Sequence, residues 1–230
     1  MPNYIGVDLS WSGKKPTGVA VIEDTHVRFS DTVITDEDIH AIIARYPRAR
    51  IAIDAPLVVP NTTGRRAAEA QCQALFGKHN AGAHPANKTL LTKWSGVVRG
   101  EELLKTLMSC GWTHDPTFQS AGSVAEVYPH AASIGLFGLE KILPYKARPH
   151  RTYETRWDAL EQLQELLRER VAFSPYTIRG VRGNELKKVE DILDAIFCAV
   201  IARHAHQNPE DVVVMGSVET GSITAFTTKL

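Results

Sequence analysis

Tyr4-Ile5-Gly6-Val7-Asp8-Leu9 is an apolar run that ends on a carboxylate, and together with the two runs next along the chain it decides the fold. Those runs, residues 18–23 and 26–34, are rich in β-branched side chains and read as strands. Gly13-Lys14-Lys15-Pro16 makes the first connection and Asp24-Thr25 the second, so the three strands form an antiparallel meander. The pattern then changes to helix. Thr35 can cap it, Asp38 completes a capping-box-like pair, and Ile39, Ile42, Ile43 and Tyr46 recur at helical spacing. Pro47 stops it. Residues 50–55 are a short buried-type strand that again closes on an acid, Asp54. A strand reached through a helical crossover runs parallel to its neighbour. The expected sheet is therefore mixed, in an α/β chain.

Composition narrows the function. The chain has 230 residues, 43% hydrophobic and 23% charged, as packed globular proteins do. One domain over 1–230, with a loop and helix insertion at about 56–98, is the simplest organisation. Lys+Arg and Asp+Glu both number 26, which excludes coating of nucleic acid by bulk charge and leaves a local basic groove open. Cys72, Cys110 and Cys198 are too few and too widely spaced for a disulfide framework or a zinc ribbon. They read as reduced thiols. Strand pattern begins at once, without a basic and apolar leader, and no run approaches a membrane span. The expectation is a cytoplasmic protein with no membrane partner.

Further along, residues 65–76 read as a helix closed by Gly77, and residues 79–94 show no clean period. Residues 99–110 form a helix closed by Gly111. Residues 124–128 form a strand ended by Pro129. Residues 145–151 form a basic loop. Residues 153–171 and 189–206 form two long helices, and residues 212–215 and 222–226 two strand-like tail pieces.

Asp8, Asp54 and Glu126 all sit in apolar strand contexts, where a carboxylate is costly unless it is paired or holds a metal. Asp191 and Asp194 are three apart on one helix face, beside the small residues Ala195, Cys198 and Ala202. Bulky residues occupy the opposite face, so the acids point into a packed interface. The alternative is that Asp191 pairs with Lys187 or Lys188 near an exposed first turn. Clustered carboxylates need a positive partner, and hard oxygen ligands suit Mg²⁺ or Mn²⁺. Two such ions can drive phosphodiester hydrolysis. Crowded like charges predict a strained metal-free site, relieved by Asp194→Asn. Zinc-protease, serine-hydrolase and phosphate-loop signatures are absent.

This order of elements and acids resembles the ribonuclease H-like fold, a three-layer α/β/α arrangement with a mixed sheet. More specifically, the chain resembles the DUF429 family of predicted nucleases. The matching pieces are Gly6-Val7-Asp8-Leu9-Ser10-Trp11-Ser12-Gly13, Ile53-Asp54-Ala55-Pro56-Leu57, Arg99-Gly100, Glu126-Val127-Tyr128-Pro129, Tyr145-Lys146 and Asp191-Ile192-Leu193-Asp194-Ala195. The acid scheme is also similar to RuvC-type resolvases. Carried over, that resemblance implies Asp8, Asp54, Asp191 and Asp194 as metal ligands. Glu126 joins the catalytic set through the DUF429 motif alone. Classical ribonuclease H has an acid on its first helix, which finds no match here, since Glu37 and Asp38 read as capping residues.

Arg65, Arg99, Lys146 and Arg148 are the candidate phosphate contacts, and Trp94 or Tyr145 could stack on a base. His79 and His84 are loop histidines without an assigned role. The expected partner is nucleic acid, and resolvase-like action on two strands favours a homodimer. Two other classes compete. One is a non-catalytic nucleic-acid or protein binding module that predicts no ion binding. The other is a nucleotide-binding phosphotransferase-like protein, which needs two lobes where this chain has room for one.

Overall fold

The computed structural model describes residues 2–93 and 95–228. Strands β1 (Asn3–Asp8), β2 (Thr17–Glu23) and β3 (His26–Val33) form the meander expected from their short connections, with both pairings antiparallel. Helix α1 (Asp36–Ala44) carries the full capping box: Thr35 Oγ1 accepts from the Asp38 amide, and the Asp38 carboxylate accepts from the Thr35 amide. It returns the chain to β4 (Arg50–Ile53), which lies parallel to β1.

Between β4 and the next strands lie helix α2 (Ala67–Phe76), the short helix α3 (Lys88–Leu91) and helix α4 (Arg99–Ser109). The stretch without a clean period therefore contains one helical turn, capped by Asn87. Strands β5 (Thr113–His114) and β6 (Ser123–Glu126) complete a six-stranded mixed sheet in the order β3-β2-β1-β4-β6-β5. Helices α5 (Pro129–Phe137), α6 (Tyr153–Arg168) and α7 (Gly183–Gln207) come next. Helix α7 starts at Gly183, earlier than its apolar period indicates, because its first turns are polar and largely exposed. The tail strands β7 (Val212–Ser217) and β8 (Gly221–Phe226) pair with each other as a separate hairpin. Among the described residues no helix is long and apolar enough to cross a membrane.

Alternation along the strands builds three layers. Ile5, Val7, Val19, Val21, Ile51 and Ile53 point to one face and pack with Ile39 and Ile43 of α1 and Leu103 and Leu107 of α4. The other face is made of small residues. Ala20, Ala52 and Ala125 meet α5, α6 and α7 there. Gly6 and Gly18 extend that flat surface. A Cβ on Gly6 would stand 1.9 Å from the Ala195 carbonyl oxygen, and one on Gly18 would stand 2.0 Å from that of Asp191. Helix α7 thus lies directly on the backbone of β1 and β2.

Candidate active site

Strand parity places the first two acids. Asp8 is two residues beyond Gly6 and Asp54 two beyond Ala52, so both belong to the face that α7 covers. Val7 and Ile53 are register partners on adjacent parallel strands, which sets the two carboxylates side by side at the strands' C-terminal ends. The Asp54 amide donates to the Val7 carbonyl at 2.9 Å and extends that pairing. Helix α7 lays Asp191 and Asp194 over them, 6% and 1% exposed. Asp191 is close enough to Asp8 to share a hydrogen bond. The small-residue helix face thus does turn its acids into the interface, against Gly6 and Gly18.

Cations enter from two segments. The Lys146 ammonium donates to Asp194 Oδ2 at 2.5 Å and lies 3.3 Å from Glu190 Oε1. Tyr145 Oη donates to Asp194 Oδ1 at 2.8 Å. Lys187, one turn before Asp191, donates to it at 2.5 Å and to Glu190 at 2.8 Å. Arg156 lies 3.3 Å from Glu190 Oε2. Burial, then the neighbouring Asp194 and Asp54, pushes the Asp8 carboxyl well above its ordinary range, with Lys146 opposing. Asp54 is pushed up to about 7 by burial and by Asp194 and Glu126, again against Lys146. Burial works to discharge Lys146, but Asp194, Asp8, Tyr145 and Glu190 outweigh it and hold the ammonium charged.

A family model described as a protein of unknown function, DUF429, matches residues 6–219. The chain belongs to the DUF429 family. No curated protein and no solved structure matches it.

The DUF429 match spans all five candidate acids, and Glu126 lines the same cavity as Asp54 but takes different partners. Glu126 is the register partner of Ile53, not of Asp54, so it starts on the opposite face of the sheet from Asp8. Its Oε2 accepts from Arg66 at 2.9 Å and from the Leu57 amide at 3.0 Å, and its Oε1 from Arg66 at 2.6 Å. Arg66 also binds Glu69, making a buried triad with all three side chains at most 5% exposed. Both Glu126 oxygens are taken in this triad, although its charge still bears on Asp54 and it lines the same cavity.

The expected phosphate contacts divide. Arg65 and Arg148 are exposed. Arg99 is buried, and its donors are spent inside the protein. It binds Asp36 at 2.6 Å, the Ser10 carbonyl at 2.8 Å and Thr17 Oγ1 at 3.1 Å, tying α4 to α1 and to the loop after β1. Lys146 turns its ammonium to the carboxylates, its side chain 29% exposed. Tyr145 is 3% exposed and bound to Asp194, so it offers no stacking face. Trp94 lies outside the described residues. His79 Nδ1 lies 2.7 Å from the Glu140 carbonyl, away from the acids.

Sequence reasoning misses Glu190 and gives Lys187 and Trp11 no role in the site. Glu190 joins the cluster beside Asp191. The Lys187–Asp191 pairing weighed as the alternative does form, at 2.5 Å, with the Lys187 side chain 53% exposed. Trp11 is 54% exposed and lines a cavity of about 120 Å³ with Asp54, Pro56, His84 and Tyr128. Its sequence signals are its place three residues after Asp8 in a loop and its position inside the first DUF429-like piece.

The oxygen donors are of the type a hard divalent cation takes. Among the described residues no three carboxylate, histidine or cysteine side chains converge as a finished ligand set. Asp194 has turned both oxygens to Tyr145 and Lys146. Asp8 and Asp54 remain, and no nitrogen of the described residues donates to either carboxylate. Two adjacent, half-buried, mutually repelling carboxylates form a place for one positive charge.

Proposed function

We propose that this DUF429 protein is a divalent-metal-dependent nuclease that hydrolyses phosphodiester bonds in nucleic acid. The observation that carries the reading is the Asp8–Asp54 pair, open at the C-terminal ends of β1 and β4. In α/β sheets ligands collect at strand C-termini where the strand order reverses, and β1 lies between the meander and the crossover strands. An antiparallel meander, a crossover helix, a parallel fourth strand and acids on a late helix all support a ribonuclease H-like assignment.

Asp8 and Asp54 would hold Mg²⁺ or Mn²⁺, with Asp191 beside Asp8. A divalent ion there lowers the pKa of its water and polarises the phosphoryl oxygen. The chain supplies the rest. Asp194 holds Lys146 toward the reacting group, and helix α7 shields that side from solvent. Exposed Arg65 and Arg148 meet the flanking phosphates. The test is Mn²⁺-dependent cleavage of single- and double-stranded DNA and RNA by wild type, Asp8→Asn and Asp54→Asn. Loss in both variants with the fold intact supports the reading, and near wild-type cleavage in both overturns it.

One observation favours a second reading. Asp194 is already satisfied by Lys146 and Tyr145, as in a protein that binds nucleic acid without cutting it. That reading predicts binding without Mn²⁺ and no cleavage by wild type.

A further inference from the structure

We propose that the cavity beside Asp54 receives one nucleobase turned out of its strand, so that the protein acts on unpaired nucleotides and not on intact duplex. The inference rests on the nucleic-acid reading above and names the form of substrate it takes.

The cavity has the scale of one aromatic ring. Its volume is about 120 Å³, and a protein cavity of about 150 Å³ holds a benzene ring. A single base enters it with part of its edge in the open mouth, and a base pair does not. Ala83, Val127 and Ile223 give the lining its apolar part. Arg66, Glu69 and Glu126 give it a charged part. All five Arg66 donors are already spent, on Glu69, Glu126 and the Val58 carbonyl. The lining therefore has no guanidinium donor left for a base edge, and selection falls to shape and stacking.

Trp11 supplies the stacking face. It is exposed, yet the loop that carries it is pinned. Ser10 Oγ lies 2.9 Å from both the Ser12 and the Lys15 carbonyl oxygens, and it accepts from buried Arg99 at 2.7 Å. The Lys15 amide donates to the Ser12 carbonyl at 3.2 Å. A pre-ordered indole at a cavity mouth saves the ordering entropy that a loose one would lose on binding, and every base has a face to stack on it.

Position selects a nucleotide among flat ligands. Asp54 belongs to the same lining, so a seated base brings its own sugar-phosphate to the Asp8–Asp54 pair. Exposed Lys14 and Lys15 follow Trp11 in its loop, and exposed Arg65 precedes Arg66. The two segments that meet at the cavity thus each carry cations for a phosphate backbone. A base in a duplex must give up its pairing and stacking to enter, whereas an unpaired base gives up least.

Binding in EDTA tests this without reference to cleavage. Fluorescence anisotropy compares a short labelled single strand, the same strand with every base removed, the corresponding blunt duplex and a free mononucleotide. The base-bearing and abasic strands carry the same phosphates, so their difference isolates the bases. The expected result is that the base-bearing strand binds about five- to 150-fold more tightly than the abasic one, and more tightly than the duplex. Ala83→Phe, which fills the cavity, should remove that margin and keep the affinity for the abasic strand. Equal affinity for the two strands, a duplex bound as tightly as the single strand, or a margin that survives in folded Ala83→Phe would overturn the inference and leave the nuclease reading standing. A mononucleotide bound as tightly as the strand, or no binding of any strand by wild type, would overturn both. Should Ala83→Phe fail to fold, the wild-type comparison of the strands and the duplex still decides.

Discussion

The Lys146 ammonium lies 2.5 Å from Asp194 Oδ2, and it reverses the expectation that Asp194 is a source of repulsion. Removing one negative charge from a crowd of acids should relieve strain. Removing it from a paired lysine leaves that lysine less well held. Asp194→Asn should therefore destabilise the metal-free protein by about 2 kcal/mol, the scale of a hydrogen bond to a charged group. Urea unfolding in EDTA measures it, and a variant more stable than wild type would show that Lys146 does not balance Asp194.

Asp54 should make the metal-free protein lose stability as pH rises. In the fold its carboxyl is pushed up to about 7 by burial and its acidic neighbours, against an ordinary 3.8. The folded state keeps a proton that the unfolded chain sheds, so this contribution is complete at low pH and fades up to about pH 7. Asp54→Asn removes it. Melts in EDTA should show the variant gaining on wild type from about pH 4 to about pH 7 and then running parallel. Parallel curves throughout would mean that Asp54 ionises normally.

The triad of Arg66, Glu69 and Glu126 should be a stability element. Arg66→Met strands two buried carboxylates, at a cost of about 3–5 kcal/mol. Adding Glu126→Gln should restore part of it. A loss below about 1 kcal/mol in denaturant unfolding would show that water reaches the pair.

Trp11 stands exposed beside Asp54, where the proposed nucleic-acid reading puts a stacked base. Trp11→Ala should weaken single-stranded nucleic acid binding in EDTA by about 1–3 kcal/mol, or roughly five- to 150-fold, while Trp11→Phe keeps most of it. Fluorescence anisotropy reads the affinity. Equal binding by wild type and Trp11→Ala would place the stacking elsewhere.

Much of this architecture is legible in the sequence because local rules suffice for it. The period-2 runs around Asp8 and Asp54 determine which face each acid takes, and Thr35 with Asp38 marks a helix start unambiguously. The acids of α7 are legible because small and bulky residues segregate around that helix. Glu126 escapes a local reading because its face depends on the register of β6 against β4, which no local pattern encodes. Arg99 and Lys146 look like free basic residues because their partners, Asp36 and Asp194, lie 63 and 48 positions away. Helix α5 is hard to see because it is apolar all round, although Pro129 at its first position and Gly138 in a left-handed conformation frame it.

The missing side chains at Gly6 and Gly18 bear on ionic radius. With α7 seated on bare backbone, nothing compressible lies between the helix acids and the strand acids. The spacing of Asp8 and Asp191, already within hydrogen-bond reach, cannot widen without lifting a 25-residue helix off the sheet. Mg²⁺ binds oxygen at about 2.0–2.1 Å and Ca²⁺ at about 2.3–2.6 Å. Under the metal-dependent reading proposed above, that fixed spacing would separate the two cations by size, set by two hydrogen atoms standing where methyl groups would be.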